Sequence, residues 1–152
     1  MTKSVPATRS IVIEREIPFP PEKIWRALTQ PQLIEEWLVK NDFQPRLGAR
    51  FTFQAKPMGD WDGIVHCEVM TFEPPRRLVY TWKGGSVTNP GYGNVLDSTV
   101  EWTLTRVPGG TRLRMEHSGF RPENEKAYGA MSDGWPRVIE RLEQVCAAPD
   151  NK

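Results

Sequence analysis

The feature that most constrains this chain is a tight hairpin near its C-terminal end, followed at once by one long amphipathic stretch. Residues Ser98 to Arg106 and Thr111 to Ser118 flank the turn Val107-Pro108-Gly109-Gly110. An antiparallel register that sets Arg106 opposite Thr111 pairs Leu104 with Leu113, Trp102 with Met115, and Val100 with His117. The apolar residues then share one face. The other face carries Thr103 opposite Arg114 and Glu101 opposite Glu116, with Arg114 diagonal to Glu101, a surface suited to water. The apolar face needs a cover, and the segment from Glu123 to Ala147 supplies it, because Met131, Trp135, Val138, Ile139, Leu142 and Cys146 fall at helical spacing. Pro136 lies inside that pattern and predicts a kink or a break near Ser132 to Trp135.

Upstream, Arg9 to Pro18 places Ile11, Ile13 and Ile17 on one face at period two, the pattern of a half-buried strand. Pro20 and Pro21 start a short helix to about Thr29, with Glu22 in its first turn and Ile24, Trp25 and Leu28 as its apolar stripe. Pro31 opens a second short helix carrying Leu33, Ile34, Trp37 and Leu38. Strands resume over Gly48 to Lys56, Ile64 to Phe72 and Leu78 to Lys83, the first two separated by a Gly/Asp turn that bears Trp61. The stretch Gly84 to Asp97, rich in Gly, Asn and Pro, is longer than a simple hairpin loop and reads as a binding loop or lid that would gate entry. The expected architecture is α+β: six to seven antiparallel strands wrapped around one long C-terminal helix, with two short helices after the first strand. Residues 9–147 form the single domain expected, with flexible ends at 1–8 and 148–152.

Composition narrows the function classes. The 152 residues carry 20 Lys+Arg against 19 Asp+Glu, a net charge of +1 that gives no footprint for general nucleic-acid binding. No run of about 18 apolar residues offers a membrane span, and the start MTKSVPATRS does not resemble a signal peptide. A cytoplasmic location follows as the expectation. Cys67 and Cys146 lack the CxxC spacing of a zinc knuckle or redox pair and read as reduced packing residues. Six tryptophans in one small domain must either fill its core or line a cavity.

Motifs for covalent or cofactor chemistry are absent. There is no GxSxG, P-loop or HExxH, and Gly91-Tyr92-Gly93 lacks the third glycine of a dinucleotide fingerprint. No cofactor and no catalytic residue is assigned. A metal site would need His66 and Glu68 with His117, but the register that points Val65, Cys67 and Val69 inward turns His66 and Glu68 outward, so no metal is assigned either. His117 points inward beside Val100, Trp102 and Met115. It is a core histidine hydrogen-bonded within the protein, or a polar group that orients a ligand or moves a proton. Arg15 interrupts the apolar face between Ile13 and Ile17 and must find a partner, a nearby Glu in the favoured reading or a ligand carboxylate otherwise. Trp61, on its turn, is a rim residue or a plug.

Several segments carry a family resemblance: Ile17 to Trp37, Leu47 to Phe51, Glu73 to Trp82, Gly110 to Leu113, His117 to Phe120, and Gly134-Trp135. In order and spacing these resemble the homologues of the activator of heat-shock-protein-90 ATPase, in the START-like or SRPBCC helix-grip superfamily. The resemblance implies the helix-grip fold with a cavity between sheet and long helix, and not a particular reaction, since members bind lipids, polyketides and other apolar molecules and some catalyse cyclisation. The ligand expected here is a small hydrophobic molecule. Trp25, Trp37, Tyr80, Trp82, Trp102, His117, Tyr128, Met131 and Trp135 are the candidate ligand-binding residues. The alternatives are an aromatase/cyclase- or dehydratase-like enzyme in the same cavity, and a chaperone-associated or regulatory domain that binds a protein partner. A homodimer is left open.

Overall fold

The computed structural model describes residues 8–56, 63–84 and 96–148. The termini, the Trp61 turn and the interior of the Gly84 to Asp97 loop therefore lie outside the described residues. The elements run β1 (Arg9–Ile17), α1 (Pro21–Thr29), α2 (Pro31–Trp37), β2 (Lys40–Asn41), β3 (Arg50–Gln54), β4 (Ile64–Glu73), β5 (Arg77–Gly84), β6 (Leu96–Val107), β7 (Gly110–Phe120) and α3 (Glu125–Ala147). A 3-10 turn, Pro122–Asn124, leads into α3. The seven strands form one antiparallel sheet in the order β1-β7-β6-β5-β4-β3-β2, and the fold is the helix grip.

Period-two patterning set the strands as expected. In the last hairpin Val100 pairs with His117, Trp102 with Met115, Leu104 with Leu113 and Arg106 with Thr111. In β4 the residues Val65, Cys67 and Val69 are buried while His66 is exposed, which places His66 on the opposite face of the sheet from the buried His117. On the outer face Glu101 is neutralised by Arg77 at 2.7 Å rather than by Arg114, which reaches Glu116 at 2.9 Å and Glu14 at 3.4 Å. Arg15 pairs with Glu143 of α3 at 3.1 Å, tying the edge strand to the helix.

Three features differ from expectation. The helix α3 runs from Glu125 to Ala147 without a break at Pro136. Proline removes one ladder hydrogen bond at a cost of about 3 kcal/mol, but here Pro136 is exposed, so water can reach the freed carbonyl. Its neighbours Trp135 and Ile139 are buried and clamp both adjacent turns onto the sheet. The short strand β2 was not foreseen. Two residues cannot show a period, and the segment is held by side-chain bonds instead: Asn41 donates to the carbonyls of Pro31 and Val39 at 3.1 Å each and accepts from the Phe43 N–H at 3.1 Å. The loop expected over Gly84 to Asp97 is also trimmed at both ends, since Gly84 closes β5 and Leu96 opens β6 in direct pairing.

The core lies between the sheet and the three helices, where α1 contributes Ile24, Trp25 and Leu28, α2 contributes Ile34 and Trp37, and α3 contributes Trp135, Ile139, Leu142 and Cys146. Among the described residues no helix is long and apolar enough to cross a membrane.

Candidate functional site

Aromatic side chains pack against one another at the centre of the grip. Trp37 and Trp102 meet edge to face at 5.6 Å between centroids, and neither is more than 1% exposed. Each indole is satisfied: Trp37 donates to the Ala27 carbonyl at 2.8 Å and Trp102 to the Tyr80 hydroxyl oxygen at 3.0 Å. Phe51 and Phe53 pack against the Tyr80 ring at 5.3 and 5.9 Å, and burial pushes the Tyr80 hydroxyl well above its ordinary value. Trp37, Tyr80 and Trp102 therefore form the solid centre of the core.

Beside that centre, His117 is fully buried within a chain of hydrogen bonds. The Trp135 indole donates to His117 Nδ1 at 3.1 Å. An indole N–H can only donate, so Nδ1 is the acceptor and the ring proton sits on Nε2. That Nε2–H donates to Ser98 Oγ at 2.8 Å, and the Ser98 hydroxyl passes its own proton to the Trp82 carbonyl at 2.8 Å. Loss of water around the ring lowers the His117 pKa from 6.5 to about 3. The imidazole is thus neutral with both nitrogens engaged, and it fastens α3 to β5, β6 and β7.

A crevice of about 170 Å³ opens next to this network between α3 and the sheet. It is lined by Leu38, Trp82, Ala130, Met131, Gly134, Trp135 and Val138. The apolar stripe of α3 reaches it through Met131, Trp135 and Val138, while Ala130 and Gly134, small residues one turn apart, leave the room. One polar atom stands out. Among the described residues the buried Trp82 indole N–H has no hydrogen-bond partner, although its ring is packed by Phe53 at 5.1 Å, His117 at 5.2 Å and Trp135 at 5.8 Å.

The nine candidates are thus divided by the fold. Trp82, Met131 and Trp135 line the crevice, and His117 lies directly behind Trp82 and Trp135. Trp37, Tyr80 and Trp102 are in the sealed centre. Trp25 packs on Phe72 at 5.5 Å, and Tyr128 lies against Phe120 at 5.3 Å with the Arg9 guanidinium 3.9 Å above it; neither lines the crevice. Leu38, Ala130, Gly134 and Val138 were not among the candidates. Their signal was present as the i, i+4, i+8 spacing of Ala130, Gly134 and Val138, which puts small side chains on one face of α3.

Larger grooves lie on the outer surface and carry charged side chains. One of about 410 Å³ crosses β3, β4 and β5 and is lined by Arg50, Thr52, His66, Glu68, Thr81 and Lys83 among others. Another of about 550 Å³ holds Arg76, Arg77 and Arg106, which pair with Glu73, Glu101 and Glu22 at 3.2, 2.7 and 2.7 Å. Among the described residues no three His, Cys, Asp or Glu side chains gather as a metal site. The thiols of Cys67 and Cys146 are buried, and burial pushes that of Cys146 up to about 11.

The sequence model of the family described as Activator of Hsp90 ATPase homolog 1-like protein matches residues 18–147. The chain belongs to this family. Among solved structures, this Activator of Hsp90 ATPase homolog 1-like chain is similar to protein MLL2253 from Mesorhizobium loti, at 51% identity and a TM-score of 0.81 over 93% of this chain and 99% of that one. It is also similar to CalU16 from Micromonospora echinospora, at 27% identity and a TM-score of 0.70 over 94% of this chain and 78% of that one. DynU16, from the dynemicin biosynthetic locus, shares the fold at 22% identity and a TM-score of 0.74, covering 93% of this chain and 48% of its own. No curated protein matches this chain.

Proposed function

We propose that the protein binds a small, largely apolar molecule in the crevice between α3 and the sheet. The observation that carries this reading is the crevice itself: about 170 Å³, walled by Leu38, Trp82, Met131, Trp135 and Val138, beside the packed aromatic centre of the core. Size then selects the ligand. An apolar cavity of about 150 Å³ accommodates benzene, whereas enclosed ligand sites usually span about 300–1,000 Å³. A single ring or short acyl segment fits, with any larger part of the molecule projecting into solvent. Burying roughly 150 Å² of such a ring yields about 4 kcal/mol before the cost of association, so dissociation constants of about 1 mM or weaker are expected for simple rings.

DynU16 comes from a biosynthetic locus, but its likeness to this chain is one of fold alone, and the proposal stands on the crevice. The cyclase- or dehydratase-like alternative leaned on His117, whose two nitrogens both have protein partners. Among the described residues Trp82 and Trp135 line the crevice, so their emission reports occupancy directly. Titration with toluene and naphthalene should give saturable changes. Absence of saturable change with every ring would refute the proposal.

A further inference from the structure

The orphaned indole of Trp82 narrows the ligand class. Trp37, Trp102 and Trp135 each donate their N–H to an acceptor inside the protein. Trp82 lines the crevice, is 7% exposed, and among the described residues has no acceptor for its N–H. A buried N–H left unpaired costs about 1–3 kcal/mol, so an acceptor delivered by a ligand gains both the new bond and the relief of that cost. Among the described residues the rest of the lining, Leu38, Ala130, Met131, Gly134, Trp135 and Val138, brings no side-chain cation and no side-chain carboxylate or amide. An anionic oxygen would be stranded there without a counter-charge, and a ligand donor would find no side-chain acceptor.

We infer that the crevice takes a neutral ring bearing one hydrogen-bond acceptor oxygen, such as an aryl ketone or quinone carbonyl, which the Trp82 indole N–H receives. The inference rests on the proposal that the crevice binds apolar molecules. The N–H is covered in the free protein, so the oxygen reaches it by displacing a neighbouring side chain. Met131, unbranched and half-buried, is the lining residue best able to move aside.

Acetophenone and α-methylstyrene separate this inference from the reading beneath it, because they share one shape and differ in carrying C=O or C=CH₂. The affinity ratio favouring acetophenone should fall about five- to tenfold on Trp82→Phe, the effect of one neutral hydrogen bond. In ¹H–¹⁵N spectra of the wild-type protein, acetophenone but not α-methylstyrene should move the Trp82 indole cross-peak strongly downfield, a readout that needs no variant. If both ligands bind and neither the ratio nor that cross-peak distinguishes them, the acceptor inference is overturned and the crevice remains a binding site. If neither ligand binds the wild-type protein, the crevice proposal itself fails and the inference with it.

Discussion

At His117 every polar atom of the ring has an assigned partner: Trp135 donates to Nδ1, and Nε2 donates to Ser98. That arrangement tolerates no second proton. Burial lowers the folded-state pKa to about 3 from 6.5, so the unfolded chain takes up a proton that the folded chain refuses. The residue costs no stability above about pH 6.5, and the cost grows as pH falls toward 3, reaching about 2 kcal/mol at pH 5. Denaturant unfolding at pH 7.5 and pH 5 should therefore show wild type losing about 2 kcal/mol more than His117→Gln over that interval. Equal losses in the two proteins would contradict the buried, neutral assignment. The inward placement of His117 was legible from the hairpin register alone. Its bonding was not, because Trp135 lies 18 residues away on another element and Ser98 reads as an ordinary strand serine.

The elements are held by a few backbone positions that pattern reading reaches only in part. Gly109 and Gly110 both occupy the β6–β7 turn, yet they answer to different constraints. Gly109 sits at φ +86° with open space where a Cβ would project, whereas a Cβ on Gly110 would lie 2.1 Å from the Ile17 carbonyl oxygen. Gly109→Ala should cost about 1 kcal/mol, the left-handed penalty. Gly110→Ala should cost about 2–4 kcal/mol because the end of β1 must move. Urea midpoints of the two variants check the ordering. The turn was evident in the sequence; the close approach of β1 was not, since β1 lies some 90 residues earlier. On α3, periodicity located the helix, and of the kink or break expected near Pro136 the break does not occur. The exposed proline is instead carried by the packing of Trp135 and Ile139. Pro136→Ala should raise stability by about 1–3 kcal/mol, visible as a higher Tm.

For the whole molecule, the six tryptophans posed the choice between a packed core and a lined cavity, and the fold answers with both. Trp37 and Trp102 are core; Trp82 and Trp135 border the crevice with the faces not used for packing. Inward-facing positions could be read from period two and period 3.6, which is why the grip and its contents were legible. The place where the packing stops could not, because it depends on Ala130 and Gly134 being too small to fill their positions, and small residues carry little periodic signal. Gly134 gives the most direct test of the crevice as a binding site. A Cβ built there meets nothing within 4 Å, and the residue lines the crevice on a helix that a larger side chain would favour. Titrating toluene into Gly134→Ala and Gly134→Leu compares a variant that keeps most of the space with one that fills it. The account predicts folded proteins in both cases, with binding within about threefold of wild type for Ala and weakened more than about tenfold for Leu. A folded Gly134→Leu protein that binds toluene as wild type does would contradict it.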